Sequence, residues 1–280
     1  MKKVIRTING KKYVYLEKSI RIGNKVRKIS KYVGVGKSIE EQKKAFEEVA
    51  IKKETSLRSR LIVESIKVNY PLNEEEIEKI EYMNTVYKNI IKSISHHSVD
   101  DLNKRFVANF VFESNALEGN SLTLKNIAEI VFEDRISQGK DLREVYDAQN
   151  SYKVFLYLQK TRHKIDNNFV INIHKMMMDR IDERLGYREE DIILLGKPTK
   201  LTSPENIKDE MTKLLDWYKD KDPKLHPLEL AFTFHARFEK IHPFCDGNGR
   251  AGRFLLNYIL MRKGYFPVII AMKYFPELTQ

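Results

Sequence analysis

A thirteen-residue stretch, IHPFCDGNGRAGR at 241–253, lies between two strongly apolar segments and restricts the fold more than any other part of the chain. The segments on either side, HPLELAFTFHARFEKI and AGRFLLNYILMRKG, have apolar residues at helical spacing. We expect one helix to end near Ile241 and the next to begin near Gly249. The glycines between them permit positive φ, so successive N–H groups can point into one concavity at a helix N-terminus. The stretch therefore predicts an anion-binding turn between two helices.

The charged residues of this turn predict phosphoryl or nucleotidyl transfer. Arg250 and Arg253 are three residues apart in the second helix, so they share a face and can make forked bonds to phosphate oxygens. Asp246 is a hard oxygen donor that suits Mg²⁺ bridged to phosphates. His242 lies across the turn, where an imidazole can take a proton from an incoming hydroxyl. The set predicts a base, a metal ligand, an anion nest and cationic clamps within twelve residues.

The chain from residue 38 onward has helical periodicity and predicts a mainly α fold. Ser38 with Glu41 forms a capping-box pattern, and Thr123 and Ser203 are predicted N-caps. Residues 186–202 interrupt the series with a β-like run and a Gly-Lys-Pro turn, which predicts one inserted hairpin. The predicted organisation is a basic β-rich extension at 1–37, a helical region at 38–99 and a core domain at 100–280.

The N-terminal extension is predicted to be a small β-hairpin. YVYLEKSIRI and KVRKISKYVGVG are rich in Val, Ile and Tyr, and GNK between them predicts a turn. The whole chain has a net charge of +11 and residues 1–37 are strongly basic, which favours polyanionic partners. Two alternatives remain: a sheet that binds nucleic acid, or an edge hairpin that its lysines protect from aggregation. We favour the second.

Composition excludes several classes of protein. Hydrophobic residues make up 42% of the 280 residues, enough to form a core. The single cysteine, Cys245, excludes disulfide frameworks and cysteine-based zinc sites within one chain; as a side chain beside His242 it is interpreted as a filler rather than a nucleophile. Met1-Lys2-Lys3 is followed by polar residues and not by an apolar stretch of signal-peptide length, and no apolar run approaches the roughly 20 residues of a membrane span. We expect a cytoplasmic protein without a membrane partner.

The motif HPFCDGNGRAGR resembles, without mismatch, the signature His-Pro-Phe-x-Asp/Glu-Gly-Asn-Gly-Arg-x-x-Arg of Fic domains. GYR at 186–188, LLDWY at 214–218 and HPLELAFTFHARFEKI follow in family order, so the resemblance covers roughly residues 100–270. It implies a Fic-type helical bundle with a β-hairpin flap, and transfer of AMP from ATP to a hydroxyl of a target protein. Fic folds usually continue with a further helix, and the chain's end at Gln280 predicts that this helix is short, absent or replaced by the N-terminal extension.

The resemblance also implies a role for each residue of the motif. The base that deprotonates a target Ser, Thr or Tyr would be His242, and Asp246 would hold Mg²⁺ on the α- and β-phosphates of ATP. The remaining motif residues would bind the nucleotide: Gly247, Asn248 and Gly249 as an anion hole, Arg250 on the phosphates and Arg253 on the γ-phosphate. A flap including Ile193, Leu194, Leu195 and Gly196 would pin an extended target segment by strand pairing.

A second motif, SNALEGN at 114–120, resembles the Fic inhibitory motif Ser/Thr-x-x-x-Glu-Gly/Asn. The resemblance implies an inhibitory helix at about 103–120, in which Ser114, Glu118 and Gly119 carry the motif. A forked ion pair from Glu118 to Arg253 would remove the γ-phosphate clamp and inhibit transfer; the alternative is a simple helix C-terminus with a Gly cap.

Further functions and partners remain open. The alternatives to AMP transfer are a de-AMPylase that uses Glu118 and a nucleotide-sensing regulator that binds nucleic acid through 1–37. Self-modification and a homo-oligomer are further expectations.

Overall fold

The computed structural model of the chain describes residues 1–22, 25–33, 39–65, 72–192 and 201–271. It divides into two compact units, Met1–Ile94 and Ser95–Gln280. Helices account for 62% of the structure, with nine α-helices and one small sheet in the described ranges. The predicted mainly α class with a small β-rich N-terminus is therefore confirmed. The predicted domain boundaries after residues 37 and 99 stay predictions.

The N-terminal sheet has three antiparallel strands in the order β1-β2-β3: β1 (Lys2–Ile8), β2 (Lys11–Ile22) and β3 (Lys25–Tyr32). The predicted hairpin corresponds to β2 and β3, and β1 was not predicted. Asn9 and Gly10 join β1 to β2 with φ of 50° and 76°, the positive values that a two-residue type I′ turn requires. The Asn-Gly pair is thus the signal that the sequence reading missed. Gly23 and Asn24 of the predicted turn lie outside the described residues.

The first unit is completed by α1 (Ile39–Ser65) and α2 (Glu74–Ser93). One face of the sheet buries Leu16, Ile20 and Ile29 against Phe46 and Ala50 of α1, which forms a small core. A capping box at Asn73 and Glu76 starts α2. The predicted N-cap Ser38 lies outside the described residues.

The second unit contains the remaining helices, which pack around one large core. Its elements are α3 (His96–Ala116), α4 (Leu124–Phe132), α5 (Leu142–Lys160), α6 (Asn167–Met177), α7 (Ile207–Lys221), α8 (Pro227–Ile241) and α9 (Asn248–Arg262). The predicted cap Thr123 accepts a hydrogen bond from Asn126 N. The predicted cap Ser203 is the N-cap residue of the short 3₁₀ turn Pro204–Asn206, although its side chain makes no bond to the backbone of that turn and its Oγ accepts from Asn206 Nδ2.

Helix α9 lies at the centre of the second unit and is buried at every position from Asn248 to Leu260. It contacts α3, α5, α6 and α8. The polar side chains at its N-terminal end are therefore buried among apolar neighbours, and this packing restricts their conformations. Within the described ranges, no helix combines the length and the apolar character that a bilayer crossing requires.

Candidate active site

The catalytic loop, which we define as residues 242–247, joins α8 to α9. The last residue of α8 is Ile241, and His242 follows in the left-handed region at φ 53° and ψ 61°. The loop ends at Gly247, whose φ of 75° also lies in that region and places it as the N-cap of α9. Two positive φ values within six residues produce the sharp reversal that brings the imidazole and the helix N-terminus to one side.

The buried guanidinium of Arg188 holds the backbone of His242. Its Nε donates to His242 O at 2.9 Å, Nη1 donates to Glu190 O at 2.9 Å, and Nη2 donates to Thr202 O. The backbone N–H of Arg188 also donates to Pro243 O at 2.9 Å. A positive φ at a non-glycine residue costs free energy, and these bonds compensate for it. The sequence reading noted GYR but assigned Arg188 no role.

The imidazole of His242 is oriented by its own helix. Its Nδ1 lies 3.3 Å from Glu239 O, so that nitrogen carries the proton and Nε2 is left as the acceptor. Burial lowers the pKa of His242 below its ordinary value, with the carbonyl of Glu239 opposing the shift. The ring is consequently neutral at neutral pH, as a general base must be.

Phe244 and Asn248 close the catalytic loop on itself. Phe244 is fully buried and stacks on His174 with ring centroids 3.8 Å apart. The side chain of Asn248 accepts from Phe244 N at 2.9 Å and donates to Phe244 O at 2.8 Å. Both ends of that amide are therefore engaged in holding the loop. Asn248 can therefore offer an anion its backbone N–H, and its place in the anion hole stays a prediction.

The buried ring of His174 supports the loop from α6. Gly186 N donates to Nδ1 at 3.4 Å, and Nε2 lies 3.1 Å from Asp246 O, so Nε2 carries the proton and donates. Burial lowers the pKa of His174 to about 4, and the bond to Asp246 O only partly opposes the shift. The neutral tautomer is thus fixed by its two partners.

Four charged side chains alternate in sign beside the N-terminus of α9. Asp246 accepts a hydrogen bond from Arg143 of α5, and its other oxygen lies 3.4 Å from Arg250 Nη2. Arg250 in turn donates to Asp147 of α5 and is almost fully buried. Burial raises the pKa of Asp147, and Arg250 opposes that shift. Arg143 and Asp147 were not predicted, since their partners lie about a hundred residues away in the sequence.

Arg253 binds the end of α3 through three hydrogen bonds. Its Nε donates to Ser114 Oγ at 2.8 Å, and Nη2 donates to Ser114 O at 2.8 Å and to Glu118 Oε1 at 2.6 Å. The structure thus brings together the predicted residues Ser114, Glu118 and Arg253. Helix α3 ends at Ala116, so Glu118 lies on the following turn, and Gly119 has φ 87°. The expected forked ion pair differs in detail. Nη2 of Arg253 donates to Glu118, but the second donor nitrogen, Nε, donates to Ser114 Oγ and not to the Glu118 carboxylate.

The carboxylate of Glu118 also lies against the backbone at the start of α9. A β-carbon on Gly249 would overlap Glu118 Oε1 and would lie 2.9 Å from Arg253 Nη1. Any side chain at position 249 would therefore displace Glu118. The same space lies in front of the N-terminal turn of α9, where an anion is favoured by the amides and the helix dipole.

A cavity of about 540 Å³ opens at this point. Its size falls within the range typical of pockets for small organic ligands. The cavity is lined by catalytic-loop and α9 residues on one side and by the end of α3 and the face of α8 on the other: His242, Gly249, Arg253, Leu117, Glu118, Phe232, His235, Ala236, Glu239 and Ile270.

The donor set at Asp246 fits a cation that is shared with a ligand. Among the described residues, no group of three or more His, Cys, Asp or Glu side chains converges to hold a metal ion. One carboxylate is nevertheless what Mg²⁺ commonly uses when substrate phosphates supply further oxygens. The Asp246 side chain is 30% exposed, so its oxygens are reachable from solvent. Residues 193–196, which were predicted as the flap, lie outside the described residues.

Comparisons with known proteins agree with this geometry. Residues 164–260 match the model of the Fic/DOC family. The chain is 33% identical over 181 residues to the protein adenylyltransferase Fic of Nematostella vectensis, covering 61% of this chain and 42% of that protein. It is 30% identical over 171 residues to protein adenylyltransferase fic-1 of Caenorhabditis briggsae, covering 59% and 34%. The chain thus spans less than half the length of these curated relatives.

Solved structures show the same fold. A Fic domain containing signaling protein from Bacteroides thetaiotaomicron superposes with a TM-score of 0.63 at 26% identity, over 71% of this chain and 80% of that one. Fic-1 from C. elegans superposes with a TM-score of 0.61 at 22% identity, over 72% and 63%. The matched residues include α6 to α8, the whole catalytic loop and α9 as far as Leu260. Residues 164–260 of this chain therefore match the Fic/DOC family.

Proposed function

We propose that the protein is an adenylyltransferase that transfers AMP from ATP to a Ser, Thr or Tyr hydroxyl of a target protein, and that Glu118 restrains it. The observation that carries the proposal is the position of the Glu118 carboxylate, which lies between Arg253 and Gly249 in a cavity that His242 also lines. The two relatives are protein adenylyltransferases by name, which supports the same reaction.

In the proposed reaction the target hydroxyl oxygen attacks the α-phosphorus of ATP. The bond from that phosphorus to the bridging oxygen of pyrophosphate breaks, and pyrophosphate leaves. His242 Nε2 takes the hydroxyl proton, because Nδ1 is already committed to Glu239 O. The Arg188 bonds to the backbone at 242 and 243 keep the imidazole in this orientation. The chemistry rests on positioning and on electrostatic stabilisation of the phosphates.

The phosphates would occupy the N-terminal end of α9. Gly247 and Gly249 allow the backbone to approach closely, and Arg250 and Arg253 supply positive charge inside a buried setting. Asp246 would hold Mg²⁺ together with phosphate oxygens, and the cation would neutralise charge on the leaving group. Arg143 would have to release Asp246 for this to happen, since it occupies the same carboxylate.

Glu118 would restrain transfer by charge and by position. Its carboxylate matches the charge of Arg253 and lies in the space in front of α9. A phosphate group entering that space would meet a like charge and an engaged guanidinium. Displacement of the turn after α3 would remove both obstacles at once.

De-AMPylation is the second candidate function, and the same carboxylate favours it. The Glu118 side chain is 32% exposed and lies in the cavity lined by His242. A carboxylate in this position can orient a water molecule for attack on the phosphorus of a side-chain-bound AMP, which breaks the bond from phosphorus to the side-chain oxygen and releases AMP and the free hydroxyl.

The deciding experiment measures incorporation of α-labelled AMP into the protein itself and into a cell lysate. Wild type, Glu118→Gly and Glu118→Gly/His242→Ala are compared with MgCl₂ present. Label that rises in Glu118→Gly and vanishes in the double variant supports both the transfer and the restraint. A folded Glu118→Gly variant that binds ATP but transfers no label contradicts the transferase proposal, and release of AMP from a labelled protein by wild type would favour the second candidate.

The remaining expectations stay proposals. They are a flap at residues 193–196 that docks the target, self-modification, a homo-oligomer and a cytoplasmic location. The label experiment reports self-modification directly, through label on the protein in the absence of lysate.

A further inference from the structure

The positive charge of the chain is concentrated in the three-stranded sheet. Residues 1–33 contain eleven lysines and arginines and one acidic residue, Glu17. The net charge of that segment is therefore 11 − 1 = +10, whereas the whole chain has a net charge of +11. The other 247 residues are nearly neutral in sum. Such a separation indicates an electrostatic footprint rather than a uniformly basic surface.

The strand register separates this charge into two faces. Residues that pair across antiparallel strands project to the same side of the sheet. Leu16 pairs with Lys3 and Lys31, and it faces the core with α1. Tyr15 pairs with Val4 and Tyr32, which places these residues on the opposite side. We call that side the tyrosine face.

Three aromatic rings form the centre of the tyrosine face. Tyr32 lies 5.8 Å from both Tyr13 and Tyr15 between ring centroids, and it is 47% exposed. The guanidinium carbon of Arg6 lies 4.7 Å from the centroid of the Tyr15 ring and Arg6 also pairs with Glu17. The rings are thus already held in place, and a planar ligand can stack on them with little loss of side-chain entropy.

Cations surround the aromatic centre on the same side. Lys2 pairs with Glu17 across the strands, Lys11 with Ile8 and Lys28 with Ser19, and all three lysines are exposed. Arg21 lies on the same side, because alternate residues of β2 project to one face of the sheet. The face therefore carries five cations, counting Arg6, against the single carboxylate of Glu17.

We propose that the tyrosine face binds a single-stranded polynucleotide, with the phosphates on the peripheral cations and unpaired bases stacked on the tyrosines. The exposed Tyr32 ring beside the partly buried rings of Tyr13 and Tyr15, set among lysines and arginines, supplies the two components that sequence-tolerant single-strand binding requires. A duplex keeps its bases stacked internally and would gain nothing from the rings. The sequence alone favoured the lysines as protection for a strand edge, but Lys2, Lys11 and Lys28 surround an open face with aromatic side chains at its centre.

The test measures the fluorescence anisotropy of labelled 12-nucleotide oligouridine and oligothymidine with the full chain. Binding should weaken about 50-fold between 50 and 200 mM salt if the four cations other than Arg6 each contact a phosphate. A duplex of the same length and vesicles that contain phosphatidylserine are titrated in parallel. Tighter binding of either probe than of both oligonucleotides would overturn the proposal, as would no binding of the oligonucleotides at low salt.

Two variants with equal charge separate the tyrosine face from general attraction. Lys2→Gln/Lys11→Gln/Lys28→Gln removes three charges from the tyrosine face and should weaken binding on the order of 10-fold. Lys3→Gln/Lys12→Gln/Lys31→Gln removes three exposed charges from the other side of the same strands. Equal losses in the two triple variants would show that only total charge matters and would refute the proposed face.

The stacking component has its own matched pair. Tyr32→Leu should weaken binding about 5- to 150-fold, and Tyr32→Phe should retain it within about twofold, because stacking needs the ring and not the hydroxyl. Thermal unfolding of both variants confirms the fold. Equal affinity of folded Tyr32→Leu and Tyr32→Phe would exclude stacking on this ring and overturn the proposal. The oligonucleotide results are independent of AMP transfer, because the tyrosine face and the catalytic loop belong to different units.

Discussion

Replacing Glu118 by glycine should change how the protein distinguishes ATP from ADP. Arg253 donates three hydrogen bonds, and its side chain is only 8% exposed. Its charge is matched by the Glu118 carboxylate, so a terminal phosphate gains little from it in the wild-type protein. We therefore expect wild type to bind ATP and ADP with similar affinity.

The size of the change follows from the bonds that are lost. Without Glu118, Arg253 retains only the two neutral oxygen partners of Ser114. A γ-phosphate can then make a hydrogen bond between charged groups, which is worth about 1.5–3 kcal/mol. ATP should consequently bind Glu118→Gly about 10- to 150-fold more tightly than ADP does. The change arises from the nucleotide's third phosphate and not from its base.

Isothermal titration calorimetry with ATP and ADP measures the ratio of the two dissociation constants. Both proteins carry His242→Ala so that no transfer occurs during the titration. Glu133→Gln in the same background is the control, because it removes a carboxylate that pairs with Arg135 and is 52% exposed. A ratio that stays near one in folded Glu118→Gly would refute the reasoning, since it would mean that Arg253 does not contact the terminal phosphate.

Three further predictions concern residues that support the catalytic loop. Because the pKa of His174 is about 4 in the folded protein and its ordinary value is 6.5, the unfolded chain binds the extra proton first. The contribution of His174 to the free energy of unfolding should be fully present above pH 6.5, and the free energy of unfolding should fall by about 3 kcal/mol towards pH 4. Urea unfolding of His174→Gln should show a decrease that is smaller by this amount. Arg188→Lys cannot reach three carbonyls, so it should destabilise by about 2 kcal/mol or more and lower transfer by Glu118→Gly, as thermal unfolding and AMP labelling report. Arg143→Gln should lower the MgCl₂ concentration for half-maximal labelling by up to about fivefold, since a half-exposed ion pair is worth at most about 1 kcal/mol.

Each of these predictions has a control on the surface of the same unit. His97→Gln replaces an exposed histidine and should leave the pH dependence of unfolding unchanged. Arg184→Lys alters a guanidinium that is 64% exposed and donates to Asp182. Arg135→Gln removes an exposed cation away from Asp246. If a control shifts its measurement as much as the test variant does, the stated contact is not the cause.

The catalytic loop could be predicted because its information is local. The turn, the flanking helices and the proximity of His242, Asp246 and Arg253 all follow from thirteen consecutive residues with strong glycine and helix signals. Local signals also predict β1, because Asn9-Gly10 between segments with alternating apolar residues is a hairpin pattern.

Other parts of the site could not be predicted, because they depend on tertiary contacts. Asp147 and Arg143 reach the site only because α5 packs on α9, and nothing in LREVYDAQ indicates a partner a hundred residues away. Asn248 lies in the motif, but its side chain makes hydrogen bonds to the backbone of Phe244. The sequence does not distinguish these bonds from direct binding of an anion by the side chain. The contact of Glu118 with Arg253 was anticipated from a family resemblance and not from physical pattern.

The three carbonyls held by Arg188 also bear on how such a domain can change over evolutionary time. One side chain holds the chain at Glu190, at Thr202 and at the backbone of His242, the proposed base. The entry and exit of the interval between 190 and 202 are therefore set independently of the sequence inside it. Substitutions in that interval can accumulate while the imidazole stays in place, so the proposed docking of the target and the proposed transfer chemistry can diverge separately within one fold.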